Sequence, residues 1–319
     1  MAELGPGTSE QDWQRSVIEK VALAAIQEQR RARKWGIFFK LLLFIYLFAL
    51  LIIGMGWIGK RDGSPGKHTA LVEVRGVIAP DSAASADAVM TGLQDAFKDK
   101  RTQGVVLRIN SPGGSPVQAG HINDEIRRLR EKYPTIPVYA VVEDVCASGG
   151  YYVAVAADKI YINQSSIVGS IGVRMDGFGF TGTMEKLGVE RRLLSAGENK
   201  GFLDPFLPLQ DTHKEHAEKM LNDIHLQFIK VVRQGRGKRL KETPEMFSGL
   251  LWVGTRSIEL GLADAIGSID YVARDVIQAE DIVDFTPREN IAERVAKRFG
   301  AAMAETLVRL GVMGGLNVR

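Results

Sequence analysis

The sequence predicts an α/β protein, a mostly parallel sheet with crossover helices, preceded by one N-terminal transmembrane helix. Three observations lead there. Short apolar, β-rich runs alternate with amphipathic helical spacing between residues 69 and 162, the pattern of strands joined by crossover helices. Two glycine-rich turns, Asn110-Ser111-Pro112-Gly113-Gly114-Ser115 and Ala147-Ser148-Gly149-Gly150, each follow one of these apolar runs. Far upstream, Leu41–Ile58 reads LLLFIYLFALLIIGMGWI, without a charged residue.

Residues 1–34 are expected to form a cytoplasmic N-terminal segment, with a polar helix over 9–33, rich in Glu, Gln, Arg and Ala. Residues 35–59 are the expected membrane span. At 1.5 Å per residue, a helix from Trp35 to Ile58 crosses a hydrocarbon core of roughly 30 Å. Lys40 can snorkel to the headgroups, and Trp35 and Trp57 stand where interfacial aromatics belong. A cleaved signal peptide would carry a shorter apolar core of about 7–15 residues and an A-x-A-like cleavage pattern after it, which this segment lacks. Arg30, Arg31, Arg33, Lys34 and Lys40 outnumber Lys60, Arg61 and Lys67 across the span. The positive-inside rule therefore places the N-terminus in the cytoplasm and everything after Arg61 on the far side.

Residues 60–67 contain RDGSPGK, a Gly/Ser/Pro linker. The α/β domain follows over 68–275. Its expected elements are a strand at Thr69–Val74, a helix at Ala84–Asp99, a buried strand at Gly104–Ile109 and an amphipathic helix at Val117–Tyr133. Next come a strand at Val138–Val142, a short helix at Gly149–Ala156 and a strand at Lys159–Ile162. A long polar-amphipathic helix is expected over 211–234, and a short one over 255–262, ended by Gly261. Residues 276–319 read as a C-terminal helical extension, with helical periodicity over 289–312.

Composition narrows the function. The 41 basic and 38 acidic residues leave a net charge of +3, with no basic stripe interleaved with aromatics, so nucleic acid is not an expected partner. Cys146 is the only cysteine, which rules out an intrachain disulfide. It is flanked by small apolar residues and reads as a packing residue. His213-Lys-Glu-His216 lacks the spacing of a zinc helix. Gly177-Phe-Gly179-Phe-Thr-Gly182 matches G-x-G-x-x-G without the crossover helix and acidic residue of a dinucleotide site. No metal, nucleotide or other cofactor is expected.

The two glycine-rich turns carry the chemistry. In open α/β sheets, ligands bind beyond the C-terminal strand ends. Each turn puts unpaired backbone N–H groups at the start of a helix. Two such turns converging would form an oxyanion hole with Ser148 beside it. A serine nucleophile needs a base, and the histidines offer little. His68 is near the linker, His213, His216 and His225 share one polar helix, and only His121 follows a glycine-rich turn. No G-x-S-x-G elbow occurs, which argues against an α/β-hydrolase. A lysine base must be neutral, which burial can achieve. By spacing alone, Lys200 is one lysine among many.

Taken together, NSPGGS at 110–115, ASGGYY at 147–152, GSIGV at 169–173 and a lysine in a Gly-rich segment resemble bacterial signal peptide peptidase A. This family comprises membrane-anchored Ser/Lys peptidases with a ClpP/crotonase-like fold. The resemblance runs from about Thr69 to Tyr271, and includes TALVEVRGVI, QGRGKR and LWVGTRSIELGLADAIGSID. It implies Ser148 as nucleophile, Lys200 as general base and Ser170 as the residue orienting the lysine amine. It also implies Gly114 and Gly149 N–H groups as the oxyanion hole. Around Lys200, SAGENKGFLDPF is less alike than the other stretches. The family implies hydrophobic peptide substrates, chiefly cleaved signal peptides, at the bacterial inner membrane, with membrane lipid around the anchor and a homo-oligomeric assembly. Two other classes share the same turns: a crotonase-type acyl-CoA enzyme, which needs the oxyanion hole but no serine, and a catalytically silent membrane scaffold.

Overall fold

The computed structural model describes residues 8–54 and 66–287. The end of the expected span (55–59), most of the linker (60–65) and residues 288–319 of the expected C-terminal extension lie outside the described residues. Instead of a polar helix followed by a separate span, one helix, α1 (Thr8–Gly54), runs unbroken for 47 residues, about 70 Å at 1.5 Å per residue. No glycine or proline pair interrupts residues 9–35, so nothing breaks the backbone ladder there. Within it, Val17–Leu51 is long and apolar enough to cross a membrane. From Ile37 to Leu51 the large apolar side chains are exposed on every side of the helix.

The α/β unit begins with β1 (His68–Arg75), α2 (Ala86–Lys98), β2 (Thr102–Ser111), α3 (Pro116–Lys132) and β3 (Val138–Ala147). It continues with α4 (Gly149–Ala154), β4 (Lys159–Ile162), β5 (Ile167–Gly169), α5 (Thr181–Leu187) and α6 (Asp211–Arg236). Last come β6 (Leu251–Val253), α7 (Gly254–Glu259), β7 (Ala265–Ile266), the single turn α8 (Ile269–Tyr271) with a π-helical turn Val272–Ile277, and β8 (Ile282–Asp284). The sheet order is β6-β5-β3-β2-β1-β8, with β4 between β3 and β7. Every pairing is parallel except β5 with β6. β8 corrects the expectation of a helical extension from residue 276: Ile282–Asp284 pairs with Thr69–Leu71 of β1, so the sheet reaches past residue 275.

Alternation along the strands assigns side chains to two faces. Ala70, Val72 and Val74 of β1 join Val105, Leu107 and Ile109 of β2 in the main core under α2, α3 and α4. Leu71, Val106 and Val141 point the other way, to a smaller cluster with Tyr161 and Val272. Local signals start the helices: Ser85 caps α2 by accepting from Ala88 N–H, and Ser115 caps α3 with Pro116 at its first position.

β3 positions the site. Its first half, Tyr139–Val141, pairs with β4, and its last three residues, Val145–Ala147, pair with β5. Between them the β2 register shifts: Ile109 faces Val142, but Ser111 faces Cys146. The extra residues bend the strand and re-aim its C-terminal end. Behind this frame Arg236 is 1% exposed, forks onto both Asp264 oxygens at 2.8 and 3.0 Å, and donates to Gly261 O. The Asp264 carboxylate also accepts from Ile160 N–H, so QGRGKR and GLAD are locked to each other and to β4.

Candidate active site

Ser148 follows the last residue of β3 and stands at the N-cap of α4, with φ 51° and ψ −121°. That region is costly for a residue with a Cβ, by about 1–3 kcal/mol, and persists where the surroundings impose it. Here they do: Ser148 N–H donates to Gly169 O at 2.8 Å, and Tyr152 N–H returns to Ser148 O. Ala147 and Gly169 are register partners, so the next residues, Ser148 and Ser170, are neighbours at the strand ends. Ser170 has the same unusual backbone, φ 52°, and its N–H is bound by Leu250 O at 2.7 Å.

The first glycine-rich turn closes over the second. A Cβ on Gly113 would lie 2.6 Å from Gly149 N and 2.7 Å from Ser148 Cβ; one on Gly114 would lie 2.1 Å from Ile78 O. Both glycines also have positive φ, 100° and 151°, so two separate demands exclude a side chain at each. The Gly113 N–H is taken by Ser111 Oγ, which itself donates to Gly76 O. Gly114 N–H has no acceptor among the described residues. Gly149 N–H, at the first position of α4, has none within the helix. The Gly114 nitrogen is 3.2 Å from where a Gly149 Cβ would stand. Two free donors thus converge beside Ser148, the arrangement that stabilises a tetrahedral oxyanion.

Lys200 lies on the excursion between α5 and α6. It is exposed, in a turn closed by its own N–H onto Gly197 O at 3.1 Å. Among the described residues no hydrogen bond links it to Ser148 or Ser170. α6 gives a measure of the separation. His213 contacts Asn199 Oδ1 at 3.2 Å, and His225 donates to Ile171 O at 3.1 Å. These histidines are twelve residues apart on one helix, about 18 Å along its axis. The neighbours of Lys200 and of Ser170 are tied to well-separated points of α6.

The remaining candidates resolve simply. Cys146 is fully buried, and burial pushes its thiol up, away from thiolate chemistry. Asp144 accepts from Asn110 Nδ2 at 2.9 Å at the strand end. His121 lies on the exposed side of α3. Gly177–Gly182 has no strand before it, and α5 buries none of its residues. Sequence reasoning missed Leu250, whose carbonyl holds the Ser170 turn, because β5 and β6 are three residues each. It also missed the contacts of His213 and His225, which look like solvated polar positions in a helix.

A sheet with crossover helices, a strained serine and two converging N–H groups form an arrangement suited to oxyanion-hole acyl chemistry. Residues 130–282 match Peptidase family S49. The chain is 31% identical over 205 residues to a putative protease of Synechocystis, covering 64% of this chain and 72% of that one. It is 28% identical over 234 residues to a putative signal peptide peptidase SppA of Enterococcus faecium, covering 71% and 67%. A stretch of 177 residues, 56% of this chain, is 46% identical to part of a Na(+)/H(+) antiporter NhaA of Brucella melitensis. The chain spans only 24% of that antiporter's length, so antiport is not carried over. The chain belongs to peptidase family S49.

Proposed function

We propose that this peptidase is anchored by α1 in the bacterial inner membrane and hydrolyses hydrophobic peptides, chiefly cleaved signal peptides, with a Ser148/Lys200 dyad. Its N-terminus is cytoplasmic and its α/β unit lies on the far side. The observation that carries the reading is Ser148, held at φ 51° beside the free N–H groups of Gly114 and Gly149. In the proposed reaction a neutral Lys200 amine takes the Ser148 proton as Oγ attacks the peptide carbonyl. The Gly114 and Gly149 N–H groups hold the oxyanion, and the protonated lysine returns the proton to the leaving amine. Lys200 then activates water to free the acyl group from Ser148. Ser170, adjacent to Ser148, orients the amine. The anchor suits the substrate: apolar peptides released in the bilayer are delivered along it.

The separation along α6 favours a Lys200 supplied by a second copy of the chain. Residues 174–209 leave Phe178, Leu187, Leu194 and Leu209 exposed, Leu194 at 97%. A face of that kind is suited to burial against another protomer, and the same burial would give the lysine the apolar surroundings a base requires. Ser148→Ala and Lys200→Ala are each expected to abolish hydrolysis of an apolar fluorogenic peptide while leaving the circular dichroism spectrum unchanged. Mixing the two inactive proteins should restore part of the activity when the dyad is shared between copies. Near-normal turnover by Lys200→Ala would sink the dyad.

A further inference from the structure

We propose that His213 is a positioning residue for Lys200. From α6 it clamps the turn that bears the lysine and fixes where the amine is presented. The proposal rests on Lys200 being the base.

His213 is only 7% exposed, although Lys214, Glu215 and His216 beside it are exposed. What covers it is the lysine turn. Its Nε2 donates to Oδ1 of Asn199, the residue before Lys200, at 3.2 Å. Phe202, two residues after Lys200, packs against the His213 ring at 5.2 Å and the His216 ring at 5.6 Å between centroids. His213 and His216 are three apart and share a helix face, so the lysine is bracketed by two side chains pinned to one turn of α6.

The turn itself is tied internally. Phe202 N–H bonds Asn199 O at 3.0 Å, and Lys200 N–H bonds Gly197 O. Asp204 accepts from Phe206 N–H and from Arg191 at 3.0 Å. The Phe206 N–H, followed by Arg191, holds the Asp204 carboxyl below the usual carboxylate range, so these bonds are kept at neutral pH. Among the described residues the exposed Lys200 side chain makes no hydrogen bond or ion pair within this turn. A base on a loose surface loop would have to be ordered at the moment of reaction; a clamped one is ordered beforehand. The bond from His213 runs to the lysine turn and not into the core under α6, which is filled by Phe228 and Val232 further along the helix.

The test uses the full chain with its anchor in detergent and three single variants. His213→Phe keeps a ring for Phe202 and removes the donor. His213→Gln keeps a donor, and Asn199→Ala removes the acceptor from an exposed position. His213→Phe and Asn199→Ala should each lower kcat by about ten- to a hundredfold. KM should stay within about twofold, because substrate binding does not involve the clamp. His213→Gln should recover most of the loss, and the double variant should be no slower than the slower single one. The clamp is overturned when Asn199→Ala turns over like the parent, when the losses multiply in the double variant, or when they fall on KM. If His213→Phe does not fold, Asn199→Ala decides alone. A silent Lys200→Ala with a normal Asn199→Ala removes the clamp and leaves the dyad standing; an active Lys200→Ala removes the dyad itself.

Discussion

The serine half of the proposed site and its proposed lysine half are built in opposite ways. Ser148 and Ser170 follow the ends of adjacent strands, have backbones that only their surroundings can enforce, and stand over a core in which Cys146, Val168 and Ile171 are fully buried. Lys200 sits on an excursion between β5 and α6 that holds one seven-residue helix and buries almost nothing. One half is preorganised by the sheet, so its geometry costs nothing to assemble during turnover. The other is held by a few side-chain contacts to α6, and its apolar exterior is still uncovered. On the proposed reading, the oxyanion hole is permanent and the environment of the base depends on what packs against it.

The sharpest way to break this contrast is to place the same methyl group in each half. In Gly114→Ala the added Cβ meets Ile78 O at 2.1 Å, which must push the turn and its N–H away from Ser148. Loss of an oxyanion donor is worth about 10²–10³ in kcat, and a loss of this size should be read with an activated peptide ester. Gly197→Ala meets no atom within 4 Å. It pays only for its φ of 100°, about 1–2 kcal/mol, and should retain most of its activity. Equal losses from the two would mean that the lysine turn is as rigidly packed as the serine turn.

A second prediction concerns the frame behind the serine half. Burial pushes the Asp264 carboxyl up, but the hydrogen bonds and charge of Arg236, with Ile160 N–H and Arg239, more than offset this and leave it below its ordinary value. Asp264→Asn strands a guanidinium that is 1% exposed, and breaking a buried pair in this way costs about 3–5 kcal/mol, measurable as a lower urea midpoint. A lowered carboxyl pKa also fixes the sign with pH. The pair stabilises fully above the ordinary Asp value of about 4 and loses its contribution as pH falls through the lowered one. Asp264→Asn should therefore flatten the acid limb of stability against pH. The lysine excursion has no buried pair of this kind among the described residues.

The sequence made one half of the site legible and not the other. β1, β2, β3 and their helices follow from apolar runs and caps long enough to show their period. The two glycine-rich turns follow from glycines that no other residue can replace. β5, β6, β7 and β8 have two or three residues each, too short for any periodicity, and their positions are set by partners distant in the chain. Ser170 was reachable only through the resemblance of GSIGV, since nothing local distinguishes it from other serines. For Lys200 the motif suggested a role, while its separation from Ser148 is a tertiary fact written in no short stretch. His213 lies in a helix with two other histidines that have contacts of their own, His216 with Phe202 and His225 with Ile171 O, so spacing could not single it out.

A smaller effect is expected from the exterior of the lysine half. Replacing Leu187, Leu194 and Leu209 together by Ser removes apolar side chains that are 72%, 97% and 65% exposed. Such surface changes usually alter the stability of an isolated chain by no more than about 0.5 kcal/mol. If the excursion is covered by a second copy, light scattering should show a smaller assembly, and turnover should fall in parallel. An unchanged mass with unchanged activity would leave Lys200 to act within its own chain, after a movement of the turn along α6.

The least effect should come from Cys146, and it bears on which atom is the nucleophile. The cysteine lies two residues before Ser148 and pairs with Ser111 at the base of the oxyanion turn, close enough for a thiol-dependent mechanism to be imagined. Burial removes its Sγ from water entirely and holds the thiol in its protonated form, so it offers little thiolate to an alkylating reagent. Iodoacetamide applied to the folded protein should leave Cys146 unlabelled by mass spectrometry and peptide hydrolysis intact, whereas a serine-directed acylating reagent should label Ser148 and stop it. Labelling of Cys146 in step with loss of activity would show that the serine half opens during turnover, and that the rigidity assigned to it belongs only to the resting enzyme.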